Sequence, residues 1–526
     1  MSKEYSNGKD LHELMLEGVN TLANNVASTY GPRGRNVMLK KKDGSPVITK
    51  DGATVARFVN LDDPFKNAAV EIVKQASEKT NSDSGDGTTT STILAREVFS
   101  KSLTLIEKGI SPVEVKRGLD KICDFVCDRV TDSARPISSI EDISYVAKIS
   151  SNNDQVIGDL ISTAVDKVGK GGSVTIEDGR STETTLDLVE GFRFQSGFVS
   201  NHFVTDQRRN VCRYENPLIF ICDAQIGTVQ AILPCLEIAA REGKPVVFVC
   251  DDIEGQALAA LIMNAVRGSM KVAAVKAPKY GAERREVMRD LAIATGAKYF
   301  RTMLGDDTSN VVLNDFGTCK TIEISRYGTI IVGGGADLEE LTGRMDSIRQ
   351  QIEESESLEH AKVLQERLTR LSSGVAIIRV GAPTEIEMIE KKHRIEDALE
   401  AVRSAQQDGI VPGGGLALYR ISQTIKKDLK ELELNEEQSY AIEIFQRALL
   451  APIKRMADNA GYNFDHIHGL LKDEQHSTGF NFLTGEVVDM FGSGVVDPCK
   501  VTKSALRNAV SAAGTLLTTN YAIIED

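Results

Sequence analysis

Apolar positions in the first 130 residues recur every three to four places, the period of a helix with one buried face. That spacing predicts helices over residues 11–28, 67–79, 88–107 and 113–131. Between the first two, "NVMLKK" and "SPVITK" predict a short strand pair around a turn at Asp43-Gly44. The period changes near Ser173, where "GSVTIED" and "TTLDLVEG" alternate as strands do. Strand and helix patterns then take turns: "PLIFICD" with "VQAILPCLEIAAREG", "KPVVFVCDD" with "GQALAALIMNAVRG", then "KVAAVKAP". Such alternation predicts an α/β domain. Residues 337–371 carry opposite charges three or four apart, which predicts a solvated helical hairpin. After "SSGVAIIRVG" helical patterns return over 385–407, 416–424, 437–458 and 500–515. Helical ends flanking an α/β middle predict a discontinuous domain closed from both termini.

Composition narrows this picture. A length of 526 residues makes roughly three domains at about 150 residues each. Apolar residues form 41% of the chain but aromatics only 5%, with no Trp, so the cores are built from Ile, Leu, Val and Ala. A formal charge of −13 argues against a general nucleic-acid binder, which needs a basic face. The eight cysteines are dispersed and form neither a CxxC pair nor a zinc spacing. They are expected to be reduced small hydrophobes, which fits a reducing, cytoplasmic compartment. The N-terminus has no apolar core of a signal peptide, and no apolar run is long enough to cross a membrane.

The chemistry concentrates in glycine-rich loops. In "NSDSGDGTTTSTILAREV" one acid, Asp86, stands between Gly85 and Gly87, and three threonines open a helix. A helix N-terminus offers unpaired N–H groups and the positive end of the dipole to an anion. A carboxylate there would repel a phosphate unless a cation lies between them, which points to Mg²⁺ held by Asp86. The alternative is an N-cap acid before a Thr-rich first turn. Further loops share this character: "STYGPRGRN", "ITKDGATVA" with Lys50 and Asp51, "VPGGGLAL" with Gly413 to Gly415, and "GVVDPCKVTKSAL" with Asp497. Asp397 lies in the helical "KKHRIEDALEAV". A Walker A sequence is absent, which disfavours an ordinary P-loop fold.

Taken together, "TYGPRGRNV", "TKDGATVAR", "GDGTTT", "ALAALIMNAVRG", "KVAAVKAP", "IRQQIEE", "LQERL", "EKKHRIEDAL", "VPGGG" and "DPCKVTKSAL" resemble the group I chaperonins, the GroEL family, in order and spacing along essentially the whole chain. The resemblance implies a multi-domain α plus α/β chaperonin fold. Residues 1–133 and 409–526 match a helical equatorial ATPase domain, 134–189 and 376–408 a small intermediate hinge domain, and 190–375 an α/β apical domain. It implies that Thr29, Tyr30, Gly31 and Pro32 line the inner phosphates of ATP and that Lys50 lies near the terminal one. Asp86 matches the Mg²⁺ acid, with Gly87, Thr88, Thr89 and Thr90 cradling phosphates. Gly414 and Asp497 match ribose contacts, and Asn481, Phe482 and Leu483 the wall around the base. Thr29, Lys50 and Thr89 match a K⁺ site. Asp397 matches the acid that positions the attacking water, with Asp51 as its helper.

The resemblance also implies partners. Phe198, His202, Phe203, Leu233, Leu236, Leu258, Ile262 and Met263 match an apolar rim that captures non-native client proteins and a co-chaperonin loop. A reading from the residues alone places the stripes Leu258, Leu261, Ile262, Ala265 and Val229, Ile232, Leu233, Leu236 against the domain's own core. A homo-oligomeric ring is expected, heptameric, single or double. Some positions depart from the family pattern: His202 replaces an aromatic, Ser82 and Ser196 replace charged residues, Tyr30 and Phe482 are bulkier, and "YAIIED" carries no Gly-Met tail. The competing expectation is a ring that holds or assembles proteins with weak ATPase.

Overall fold

The computed structural model describes residues 3–40, 46–169, 173–179, 181–355, 357–372, 374–429 and 432–525. The chain divides into two compact units, Met1–Ser162 with Ile389–Asp526, and Thr163–Met388.

The first unit joins both ends of the chain. Strand Lys3–Asn7 pairs antiparallel with Tyr521–Glu525, Lys3 opposite Glu525. Its core is a helical bundle of Gly8–Ala27, Pro64–Ser84, Thr88–Ile106, Pro112–Asp132 and Cys499–Thr518. The last of these packs against the three before it. Its buried face is rich in small residues, Ala505, Ala509, Ala512, Ala513 and Gly514, so neighbouring backbones can approach closely. The first helix buries Leu11, Met15, Val19, Leu22 and Val26, the predicted helical stripe. Pro64–Ser84 starts on Asp63, whose side chain accepts from the N–H groups of Phe65 and Lys66, with Pro64 already holding helical φ.

Two features of this unit differ from the pattern reading. The helix expected over 437–458 is three pieces, Glu436–Ser439, Ala441–Ala448 and Ala451–Ala460. Pro452, in the first turn of the last piece, cannot donate to a preceding turn and restarts the helix. The pattern reading has no helix over Ile140–Ser150, which is capped by Ser139 accepting from the Asp142 N–H, nor over Gln155–Val168, which begins in this unit and ends in the second. The predicted strands Val37–Leu39 and Val47–Thr49 pair with Val37 opposite Thr49, while the turn at Asp43-Gly44 lies outside the described residues.

The second unit is built on a sheet that, among the described residues, has ten strands. Strands Leu218–Cys222, Val246–Cys250 and Val272–Lys276 run parallel and are buried along nearly their whole length. That suits a sheet covered on both faces. Gly317–Ile324, Thr329–Gly334 and Thr185–Phe194 continue it antiparallel, and Gly374–Val380 pairs with Ser173–Asp178 at the far side. Helices Val229–Glu242, Gly255–Arg267 and Gly281–Thr295 contribute to the core around these strands. The charged hairpin exists as Leu338–Glu353 and Leu358–Ser372, but one face is not solvated. Ile348 and Leu364 enter the core, and buried Arg344 and Arg367 bracket Asp290 and Glu286. Both acids are matched by guanidinium forks, which offsets the cost of taking these charges out of water. All eight cysteines are buried and unpaired.

Candidate functional site

The turn Gly85-Asp86-Gly87 joins two long helices. Gly85 closes Pro64–Ser84 at φ 77 and Gly87 opens Thr88–Ile106 at φ 97, so both occupy the left-handed region that only glycine enters without cost. Space demands glycine as well, since a Cβ on Gly85 would lie 2.0 Å from Glu400 Cβ. The turn therefore lies directly against helix Glu385–Asp408, which carries Asp397 one turn before Glu400. Ser404 Oγ donates to Ser84 O across the same contact, at 2.9 Å.

Asp86 is not the helix cap, because the capping position is Gly87. Its Oδ1 accepts the Gly87 N–H at 2.5 Å and its Oδ2 accepts Ser150 Oγ at 3.0 Å. Ser150 Oγ is also 3.5 Å from the carbonyl oxygen of Asp397. One serine hydroxyl thus lies between Asp86 and the backbone of Asp397, residues far apart in the chain. The alternative read for Asp86, an N-cap acid, does not hold, since Gly87 is the cap; an acid that does cap a helix is Asp51. Its two oxygens accept from Ala53 N and Thr54 N, each at 3.0 Å, and start helix Gly52–Phe58. A Cβ on Gly52 would lie 2.1 Å from Thr89 Oγ1, so this helix start meets the threonine turn after Asp86.

Asp497 enters from strand Val496–Pro498, opposite Val411 of Ile410–Pro412. The triple glycine follows that partner strand, with Gly413 N donating to Val495 O and Gly414 and Gly415 at φ 65 and 74. Burial, and then the charge of Asp86, push the Asp497 carboxyl up to about 7. Burial also raises Asp86, with Asp51 adding a smaller upward push. Asp86 is therefore within electrostatic reach of two acids from other segments, Asp51 and Asp497. Partial burial holds the Lys50 ammonium below its ordinary range.

The remaining loops frame this centre. Thr29 is buried, with its hydroxyl donating to Val26 O. Asn459 Nδ2 donates to Ala27 O and Tyr30 O, and Arg455 Nε to Ala27 O, so helix Ala451–Ala460 braces the first loop. Gly31 and Gly415 both lie against Met456. Beside Pro32, Arg33 donates to Leu483 O, tying this loop to Asn481–Leu483. Asn481 Oδ1 accepts Leu483 N, Leu483 is exposed, and Phe482 is packed in a small core with Phe480, Leu416 and Met456. Ser150, Met456, Arg455 and Asn459 had not been singled out. Their partners are 41 or more residues away, a distance no local spacing reveals.

The rim residues divide. Phe198, Phe203 and Leu236 are buried in the core of the second unit, which corrects the expectation that they present an open apolar surface. They occupy the inward side of their segments. Leu233, Met263 and neighbouring Val266 are exposed at 45%, 47% and 63%, Leu258 and Ile262 are half-buried, and His202 is exposed. Leu261 and Ile232 are wholly buried, so the core-facing reading of the stripes holds for those positions and not for Leu233.

Residues 22–526 match the model of the TCP-1/cpn60 chaperonin family. The chain belongs to that family. The structure is also similar to the chaperonin gp146 of bacteriophage EL 2 (Pseudomonas aeruginosa), crystallised in the presence of ATP-BeFx. One crystal form aligns over 99% of each chain at 22% identity and a TM-score of 0.72, another over 99% of each at 21% and 0.62. This chaperonin accordingly has the chaperonin fold, and no helix among its described residues is long and apolar enough to cross a membrane.

Proposed function

We propose that this chaperonin is a group I, GroEL-like subunit that binds Mg-ATP around the Gly85-Asp86-Gly87 turn and couples its hydrolysis to protein folding. The observation that carries the reading is Asp86 in its glycine turn, within electrostatic reach of Asp51 and Asp497 and with the Asp397 backbone one serine hydroxyl away. An acid whose pKa is raised by burial and by a neighbouring negative charge, as for Asp86 and Asp497, is stabilised by a cation. Among the described residues no group of three or more His, Cys, Asp or Glu could hold a metal. An ion held by Asp86 would complete its shell with phosphate and water oxygens, the habit of Mg²⁺ and not of a protein-caged metal. Bound there, Mg²⁺ would neutralise phosphate charge facing Asp86.

The chain's own residues then have these tasks. Thr88, Thr89 and Thr90 offer the unpaired N–H groups and hydroxyls of a helix start to phosphate oxygens. Lys50 faces the terminal phosphate, and Thr29, Lys50 and Thr89 surround a K⁺. Gly414 and Asp497 meet the ribose, and Asn481 to Leu483 the base. Asp397 orients the attacking water with Asp51 beside it. An acid on a different segment makes hydrolysis conditional on the approach of that segment. The three-domain division, 1–133 with 409–526, 134–189 with 376–408, and 190–375, is part of this reading. So are a cytoplasmic ring of identical subunits, heptameric in one or two layers, a co-chaperonin, and client capture on Leu233, Met263 and their neighbours. The phage chaperonin's crystallisation with ATP-BeFx supports nucleotide use.

Asp397→Ala is expected to bind Mg-ATP as the wild type does and to release phosphate at least about a hundredfold more slowly. Calorimetry for binding and a phosphate-release assay check both halves. Full turnover in the variant would refute the role of Asp397.

A further inference from the structure

Tyr30 Oη lies 3.0 Å from Thr90 Oγ1, and among the described residues neither hydroxyl has another hydrogen-bond partner. The tyrosine is held firmly: Tyr30 N donates to Ala27 O, its carbonyl accepts from Asn459, and its ring packs against Ala27, Ile93 and Ala451. A phenol at neutral pH carries its proton. Burial first, and Asp497 and Asp86 after it, keep that proton on more strongly. Either hydroxyl can donate across this part-buried contact; an O–H left without an acceptor is costly, and Thr90 Oγ1 is the acceptor within reach of the Tyr30 proton. Thr92, one place beyond Ser91, gives its proton back to Thr88 O at 2.9 Å, the usual habit of a helical threonine. Thr90 makes no such bond to the preceding turn, which leaves its own proton to point outward from the helix start.

We propose that Tyr30 is a positioning residue for phosphate recognition, donating to Thr90 Oγ1 so that the threonine hydroxyl directs its proton at a phosphate oxygen. Hydrogen bonds in series polarise one another, so the threonine is a better donor for having accepted one. The proposal rests on the Mg-ATP reading above and adds to it a task for the phenol hydroxyl of Tyr30, a residue bulkier than the family pattern at this loop.

The test is steady-state Mg-ATP hydrolysis by the wild type, Tyr30→Phe, Thr90→Ala and the double variant. Tyr30→Phe keeps the ring and removes the hydroxyl; it is expected to raise KM about three- to tenfold. Its kcat should stay within about twofold, the mark of uniform binding lost. The double variant should match Thr90→Ala alone, because the phenol acts through that hydroxyl. Simple loss of packing would instead persist in the Thr90→Ala background and lower the melting temperature. An unchanged KM in Tyr30→Phe, or additive losses in the double variant, overturns the proposal while Mg-ATP turnover by the wild type leaves the functional reading standing. Thr90→Val, which keeps the threonine's shape, should show the same rise in KM, and a wild-type KM there overturns the proposal too. A wild type that neither binds nor hydrolyses Mg-ATP overturns both.

Discussion

Asp497 holds its carboxyl where water solvates it poorly and Asp86 repels its charge, and its pKa of about 7 has a measurable consequence. A raised carboxylate pKa means that the folded chain binds a proton the unfolded chain has already released. Between the ordinary value of 3.8 and about 7 the unfolded state therefore carries fewer protons, and stability falls as pH rises through that window. Above it the loss is complete and amounts to at most about 4 kcal/mol. Asp497→Asn in the nucleotide-free protein should raise the melting temperature near neutral pH and flatten its dependence between about pH 5 and 7. Melting curves across that range are the check, and an Asn variant that keeps the wild-type slope would show that Asp497 does not carry it. The acids themselves were legible, since Gly-Asp-Gly before a Thr-rich helix start is poor packing material and calls for another explanation. Their mutual influence was not, because it depends on strand Val496–Pro498 lying beside Ile410–Pro412, a pairing between residues about 86 apart.

At the scale of elements, Asp51 has two candidate tasks that one substitution separates. Its carboxylate caps helix Gly52–Phe58 through Ala53 N and Thr54 N, and its charge reaches Asp86. Serine is also a good cap, so Asp51→Ser should keep most of the helix-start stability, whereas Asp51→Ala should lose about 1 kcal/mol. If the acid assists hydrolysis, both variants lose turnover alike despite their different stabilities. Turnover that follows the melting temperature would leave Asp51 a cap alone. The long helices of this unit were readable because each buries a regular stripe, as Leu11, Met15, Val19, Leu22 and Val26 do. The segment after residue 436 was misread because its apolar period runs on across Tyr440 and Leu449 while the backbone breaks. Pro452 was the available signal. Ile140–Ser150 was passed over although Ser139, followed three residues later by Asp142, has the form of a helix start.

For the whole molecule, the distinction that matters is which apolar side chains each unit spends on itself. In Thr163–Met388, periodicity could find the stripes on Val229–Glu242 and Gly255–Arg267 but could not orient them, since core and rim share one helical period. Burial separates them. Leu236 and Phe203 are enclosed, so replacing either with a polar residue would remove core volume and bury a hydroxyl, at a cost of about 2–5 kcal/mol. Leu233 and Met263 stand half out in solvent, so serine there gives up little folding energy. Each could still contribute about 1.5–3 kcal/mol against a partner that covered it fully. Repetition around a ring would multiply such weak sites into firm capture. Leu233→Ser with Met263→Ser should therefore abolish protection of a chemically denatured client from aggregation, with ATPase rate and melting temperature near wild type. Leu236→Ser should lower the melting temperature first. Light scattering during client dilution, beside melting curves of all three proteins, decides the matter: undiminished protection by the double variant would mean that clients are held elsewhere.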